Sequence, residues 1–262
     1  MKVKNSVIYY KDELNDEFAF DSIQPRKIGG EYVYVSNSLW KKFTRFFWYR
    51  IVAVPIAFLY LKIVWHHKIV NRSKIKAAGK NSFFIFGNHT HNICDALIPT
   101  FVSFPGSVRV IVHPNNISMP VLGKITPSLG AIPLPDDKES TKNFLECIKI
   151  RIQEKNVIAI YPEAHIWPFY TKIRPFTSLS FRYPVQYQTP SFSFTNVYKK
   201  RKFSNKPRIV TYIDGPFYPD AALSPKEQRE DLRNRIYSAM CSRSEKNEVE
   251  VIKYIKIDEK NQ

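Results

Sequence analysis

Apolar residues recur along this chain in two alternating rhythms. Compact apolar blocks at residues 82–86, 108–112, 157–161 and 208–213 read as buried strands. Between them, residues 140–155 place Phe144, Leu145, Ile148 and Ile152 at helical spacing, and 95–104 reads as a helix carrying Pro99. Ser224-Pro225-Lys226-Glu227 is a capping box with proline in the first turn, and its helix continues through Leu232, Ile236 and Met240. Strand-like pieces surround Pro184 and Pro190, and 249–257 reads as a last strand. Nearer the start, 7–10 and 32–35 read as short strands, with a turn at Gly29-Gly30 between them. Strands alternating with helices predict an α/β fold, a largely parallel sheet flanked by helices.

One stretch breaks this rhythm. Residues 46–65 are almost continuously apolar, and as a helix they would span roughly 30 Å, about a bilayer's hydrocarbon core. Arg50 and Lys62 interrupt the run, leaving an uncharged stretch, 51–61, of roughly 16 Å. Trp40, Trp48 and Trp65 sit at its margins, and Lys41, Lys42, Arg45, Lys68 and Arg72 flank both ends. Basic residues at both ends fit a segment that enters and leaves one face of a membrane better than a full crossing. The expected organisation is a polar extension at 1–38, a membrane-associating helical segment at 39–72 and a domain at 73–262. The soluble alternative for 46–65 is a core helix kinked at Pro55.

Charge sharpens the expected partners. The formal net charge is +17 with 44% hydrophobic residues, so the chain is foldable and calls for anionic partners. Cys94, Cys147 and Cys241 are scattered, which fits a reducing compartment and gives no metal-ligand spacing. Residues 1–24 contain no apolar secretory core. The net charge and the 15% aromatic content leave a nucleic-acid-binding protein as the rival class, but no nucleic-acid motif is present. The basic run 199–208 is expected as a projecting loop.

The candidate chemistry lies in two segments. Phe86-Gly-Asn-His-Thr-His-Asn-Ile-Cys-Asp95 follows a strand and brings histidine close to a carboxylate, the pairing that removes a proton from a hydroxyl at neutral pH. Ile160-Tyr-Pro-Glu-Ala-His-Ile-Trp-Pro168 follows another strand. Functional groups in open α/β sheets gather at the carboxyl ends of strands, so these two segments are expected at one edge.

Together the segments resemble the lysophosphatidic acid acyltransferase (PlsC-like) family, which carries Asn-His-x4-Asp and, downstream, Phe-Pro-Glu-Gly-Thr-Arg. Asn88-His89 and Asp95 match the first motif, with five intervening residues instead of four. His91 is a second candidate for the base. Tyr161-Pro162-Glu163 match the start of the second motif, and Ala164-His165-Ile166 replace its Gly-Thr-Arg. Gly130 to Pro135 sits where the family has Gly-x-Ile-Phe, and Pro184-Val185 where it has a Val-Pro strand. The resemblance implies an acyltransferase-like domain with catalytic His89 and Asp95 and substrate-binding Asn88 and Glu163. Lys172 and Arg174 stand in for the missing phosphate-binding arginine. It further implies an acyl-CoA or acyl-carrier-protein donor, a lysophospholipid-like acceptor, no bound cofactor or metal, and a place on the cytoplasmic face of a membrane. A non-catalytic lipid-binding relative is the alternative within the same resemblance.

Overall fold

The computed structural model describes residues 6–18, 24–36, 38–120 and 122–257. Part of the 1–38 extension, residues 1–5, 19–23 and 37, therefore lies outside the described residues, as do 258–262. The strands are β1 (Ser6–Tyr10), β2 (Lys68–Val70), β3 (Phe83–Gly87), β4 (Val108–Val112), β5 (Ala131–Pro133), β6 (Val157–Ile160), β7 (Ser191–Arg201), β8 (Ser204–Phe217) and β9 (Ile252–Lys256). The helices are α1 (Leu39–Phe46), α2 (Val54–Leu59), α3 (Cys94–Ser103), α4 (Asn115–Ser118), α5 (Leu122–Ile125), α6 (Lys138–Gln153), α7 (Arg182–Tyr187) and α8 (Pro225–Ser244).

Seven strands form one sheet in the order β2-β8-β7-β3-β6-β4-β5. Every neighbouring pair is parallel except the β7–β8 ribbon. The expectation of a mixed α/β fold with a largely parallel sheet therefore holds. Phe84, Phe86, Ile158 and Ile160 point to one face, where they pack with Phe144 and Ile148 of α6 and Leu232, Ile236 and Met240 of α8. Phe83, Ile85, Val157 and Ala159 point to the other, against Ile98 and Val102 of α3. This is the period of two that a strand imposes, covered on both sides as a parallel sheet requires. Both long helices start on capping boxes, Asp137 with Ser140 and Ser224 with Glu227.

The apolar segment forms one helical run, 39–64, in which wide π turns at Phe47–Ala53 and Tyr60–Val64 flank α2. Pro55 lies inside this run, where the π turn of Phe47–Ala53 gives way to α2. Within this run, Lys42–Val64 is long and apolar enough to cross a membrane by length and composition. It packs on the domain through one side only. Ala57 and Leu61 are buried and the Tyr49 hydroxyl meets Thr100 of α3 at 3.2 Å. Leu39, Phe43, Phe47, Ile51, Ile56, Phe58 and Ile63 are exposed. Only 17% of the run's apolar window is buried, so the soluble alternative of a core helix does not describe it.

Three local expectations are corrected. Residues 32–35 form no strand: Tyr34 packs edge-on against Phe144 and donates to the Pro133 carbonyl at 3.2 Å. The turn at Gly29 is present, closed by Tyr32 N–H to Gly29 O at 3.0 Å. Pro184-Val185 lies in α7, not in a strand, because proline is tolerated in a first helical turn and Tyr183, Pro184 and Val185 bury there together. The basic run 199–208 is not a loop between strands. It is the end of the β7–β8 ribbon, with β7 running to Arg201 and β8 starting at Ser204.

The polar extension is tied to the body of the protein. β1 pairs in parallel with β9, from Ser6 beside Ile252 to Tyr10 beside Lys256. Tyr10, Tyr170 and Tyr254 then surround the buried Trp167.

Candidate active site

Strand register assembles the site. Phe86 of β3 lies beside Ile160 of β6, and Gly87 lies beside Phe194 of β7. The segments leaving β3 and β6 therefore emerge side by side at the carboxyl edge, with β7 continuing past them. His89 and Glu163, far apart in sequence, meet there. Glu163 Oε2 accepts the His89 backbone N–H at 2.9 Å. Close approach of β3 to β7 requires Gly87, because a Cβ there would stand 2.2 Å from the Phe194 ring.

Asp95 organises the loop. It opens α3, where a carboxylate is favoured by the helix dipole, and it is 1% exposed. Its Oδ2 meets His89 Nδ1 at 2.9 Å and accepts the backbone N–H groups of Thr90 and His91, each at 2.8 Å. The extra residue relative to the resembled motif is thus absorbed by a turn wrapped around the carboxylate. With Nδ1 held by Asp95, His89 presents Nε2 as its free nitrogen. The imidazole stacks on the Tyr161 ring, centroids 4.3 Å apart, which fixes its plane.

His91 is placed differently. Its Nδ1 accepts the backbone N–H groups of Ile93 and Cys94, both at 3.2 Å, and its ring packs edge-on against Trp65 and Phe169. Burial lowers its pKa against the opposing pull of Asp95. Both geometry and burial make it a neutral structural group.

Glu163 is buried, and desolvation raises its pKa against the opposing effect of Arg174 and the two backbone N–H groups it accepts. Arg174 is 1% exposed. Its guanidinium donates to the carbonyls of Glu163 at 3.0 Å, Glu13 at 3.1 Å and His165, and lies over Trp167 at 4.8 Å. These contacts replace the expected role of Arg174 as a ligand of the acceptor's phosphate, because its nitrogens face protein carbonyls. Lys172 is exposed.

Asn88 is also turned inward. Its side chain bridges to the Asn196 backbone, accepting N–H at 2.8 Å and donating to the carbonyl at 3.0 Å. The Asn196 side chain was not foreseen, although an asparagine within the apolar run 191–198 was the available signal. Its Nδ2 reaches Asp95 Oδ1 at 3.4 Å, and its Oδ1 accepts from Thr211 Oγ1 at 2.6 Å. Thr211 Oγ1 in turn meets His67 Nε2 at 2.8 Å. With the threonine hydrogen used on Asn196, His67 must be the donor. A directed chain of buried bonds thus runs from the end of the apolar helix to the dyad's carboxylate.

The arrangement can take a proton from a hydroxyl at His89 Nε2 and hold the resulting imidazolium against Asp95. Cys94 adjoins the site, but its thiol is buried and its pKa is pushed up by desolvation, so it is no nucleophile.

No protein-family model matches the sequence, and none of the curated proteins matches it. Among solved structures, the fold matches that of the 1-acyl-sn-glycerophosphate (LPA) acyltransferase PlsC from Thermotoga maritima, with a TM-score of 0.51, 14% identity, 73% of this chain covered and 79% of that one. The two chains share a fold.

Proposed function

We propose that this chain is a membrane-associated O-acyltransferase of the glycerolipid type. The observation that carries the reading is the His89–Asp95 pair at the carboxyl edge of the sheet, on a fold matching that of an acyltransferase. His89 Nε2 takes the proton of an acceptor hydroxyl as that oxygen attacks the carbonyl carbon of an acyl thioester. The tetrahedral intermediate collapses, the carbon–sulfur bond breaks, and His89 Nε2 returns its proton to the leaving sulfur. Asp95 stabilises the imidazolium in between. The products are an ester and a free thiol, and no covalent enzyme intermediate forms.

The donor in this reading is acyl-CoA or acyl-carrier protein, and the acceptor is a lysophospholipid-like alcohol. Glu163 and Arg174 hold the loop that faces His89, and Asn88 locks it to β7. Lys172 remains the basic residue of this region available to an acceptor phosphate. The outward apolar side of helix 39–64 rests on the cytoplasmic face of a membrane, and its one-sided packing supports a helix lying in one leaflet. Thiol release from an acyl thioester, measured with a panel of lysolipids on vesicles, tests the reaction. Turnover with no lysolipid in the panel, from a folded protein that binds vesicles, would reduce the reading to a non-catalytic lipid-binding relative.

A further inference from the structure

A second cluster of polar groups lies at the opposite edge of the sheet from His89. Lys42, Arg45 and Arg50 of helix 39–64 and Arg109 of β4 line one cavity of about 150 Å³, completed in part by Tyr49 and Ser107. Residues 42, 45, 49 and 50 share one helix face by their spacing. Arg109 follows the first residue of β4, at the amino-terminal edge, so the cavity is separate from the dyad.

The cavity's charge is only partly compensated, by Glu154 acting on Arg45 and Arg109 from outside the lining. No carboxylate lines it, and among the described residues none of the four cations forms an ion pair. The nearby Glu154 is already held by Arg151 at 2.8 Å and by Asn156 at 3.2 Å. Arg109 is 7% exposed, and its Nε donates to Asn156 Oδ1 at 3.0 Å. Among the described residues its two terminal nitrogens have no hydrogen-bond partner. Arg50 uses one terminal nitrogen on Pro105 O and Ser107 Oγ. Burial, with Arg151 and Arg45 close by, pushes the Arg109 pKa down to about 10. The guanidinium therefore stays charged at neutral pH while its surroundings disfavour that charge.

Guanidinium groups present N–H pairs that fit the oxygens of a phosphate group. An anion with several acceptor oxygens would use the free nitrogens of Arg109 and relieve the repulsion between Arg109 and Arg45. The apolar side chains of Leu39, Trp40 and Phe43 are exposed beside this end of the helix, where a lipid surface would supply such a group. We propose that this cavity binds a phosphate group, supplied by the headgroup of an anionic lipid on which the helix rests. The phosphate chemistry is independent of acyl transfer; only its lipid source rests on the membrane reading above.

Two measurements on the full chain test this. The first is the melting temperature in inorganic phosphate against chloride at equal ionic strength. The wild type should gain stability in phosphate, and R109Q and the double variant K42Q/R45Q should lose most of that gain. The double variant changes more exposed side chains, and it carries the test if R109Q fails to fold by circular dichroism. The second is flotation with phosphatidylcholine vesicles, pure or doped with phosphatidic acid. K42Q/R45Q should weaken binding to the doped vesicles about tenfold or more, the usual consequence of losing charge-assisted contacts. K138Q/K226Q, which removes equal charge elsewhere, should weaken it far less. If the phosphate effect is present but both double variants lose vesicle binding equally, the site stands and its ligand is a soluble phosphate. A wild type that gains nothing from phosphate, or an R109Q that gains as much, overturns the proposal. Turnover of a water-soluble acceptor should be unchanged in K42Q/R45Q, which separates this test from that of the reaction.

Discussion

His67 should make the protein acid-sensitive through one buried ring. Its side chain is 4% exposed and is hydrogen-bonded through Nε2 to Thr211. Burial, with a smaller contribution from Lys62, lowers its pKa from 6.5 to about 4. The folded protein therefore holds the ring neutral where the unfolded chain would protonate it. The unfolded state binds the extra proton below pH 6.5, so stability falls as pH drops from 6.5 and levels off near pH 4. At about 1.4 kcal/mol per pKa unit the full effect is roughly 3 kcal/mol, and between pH 7 and pH 4.5 it is roughly 2.5 kcal/mol. His67→Gln keeps a donor for Thr211 and removes the titration. Urea unfolding of wild type and His67→Gln at both pH values isolates the term, because carboxylates titrate alike in both proteins. With a urea slope near ~3 kcal/mol/M, the wild-type midpoint should fall by roughly 0.8 M more than that of the variant. Equal falls in the two proteins would refute the assignment of a neutral, buried His67.

The remaining expectations concern the loop around the dyad. His89→Ala should reduce turnover by roughly 10²–10⁴-fold while leaving circular dichroism unchanged. His91→Ala should act mainly on melting temperature, and a folded but inactive His91→Ala beside an active His89→Ala would reverse the two roles. Arg174→Met should destabilise the fold by about 3–5 kcal/mol, since it leaves Glu163 buried without its cationic partner. A stable Arg174→Met whose only defect is a raised Michaelis constant for phosphorylated acceptors would return Arg174 to the substrate. Ala164 has φ of +63°, a left-handed conformation that costs a side chain about 1–2 kcal/mol, so Ala164→Gly should stabilise by about 1 kcal/mol in denaturant titrations. A destabilised Ala164→Gly would show that the Ala164 methyl makes contacts outweighing this strain.

The α/β architecture was legible because buried parallel strands and amphipathic helices leave different spacings, as 83–86 and 140–155 do. The pairing of His89 with Asp95 was legible from proximity and from the strand before it. Ala164 occupies the position where the resembled motif has glycine, and it keeps the left-handed turn that glycine would allow. What sequence spacing did not carry was the direction of side chains in the loops. Lys172 and Arg174 read alike as cations, yet one faces solvent and the other is enclosed by carbonyls. The reason is partly long-range: the Glu13 carbonyl comes from the extension, whereas Trp167 and the Glu163 and His165 carbonyls belong to Arg174's own loop. Asn196 and His67 were missed for the same reason, since their bonds cross the sheet between elements distant in sequence.

The pairing of β1 with β9 has a consequence for how the molecule is made. Residue 6 finds its partner at residue 252, so β1 cannot pair until residues 252–256 have been made. At roughly 5–20 residues per second, tens of seconds of synthesis separate the two. Until then Trp167 lacks its Tyr254 neighbour, and the extension that presents the Glu13 carbonyl to Arg174 is not yet clamped. The loop bearing Glu163 is therefore completed last, after the sheet and the apolar helix have left the ribosome. A nascent chain would carry its histidine and aspartate in place before the loop that faces them is clamped, because that clamp needs residues 252–256.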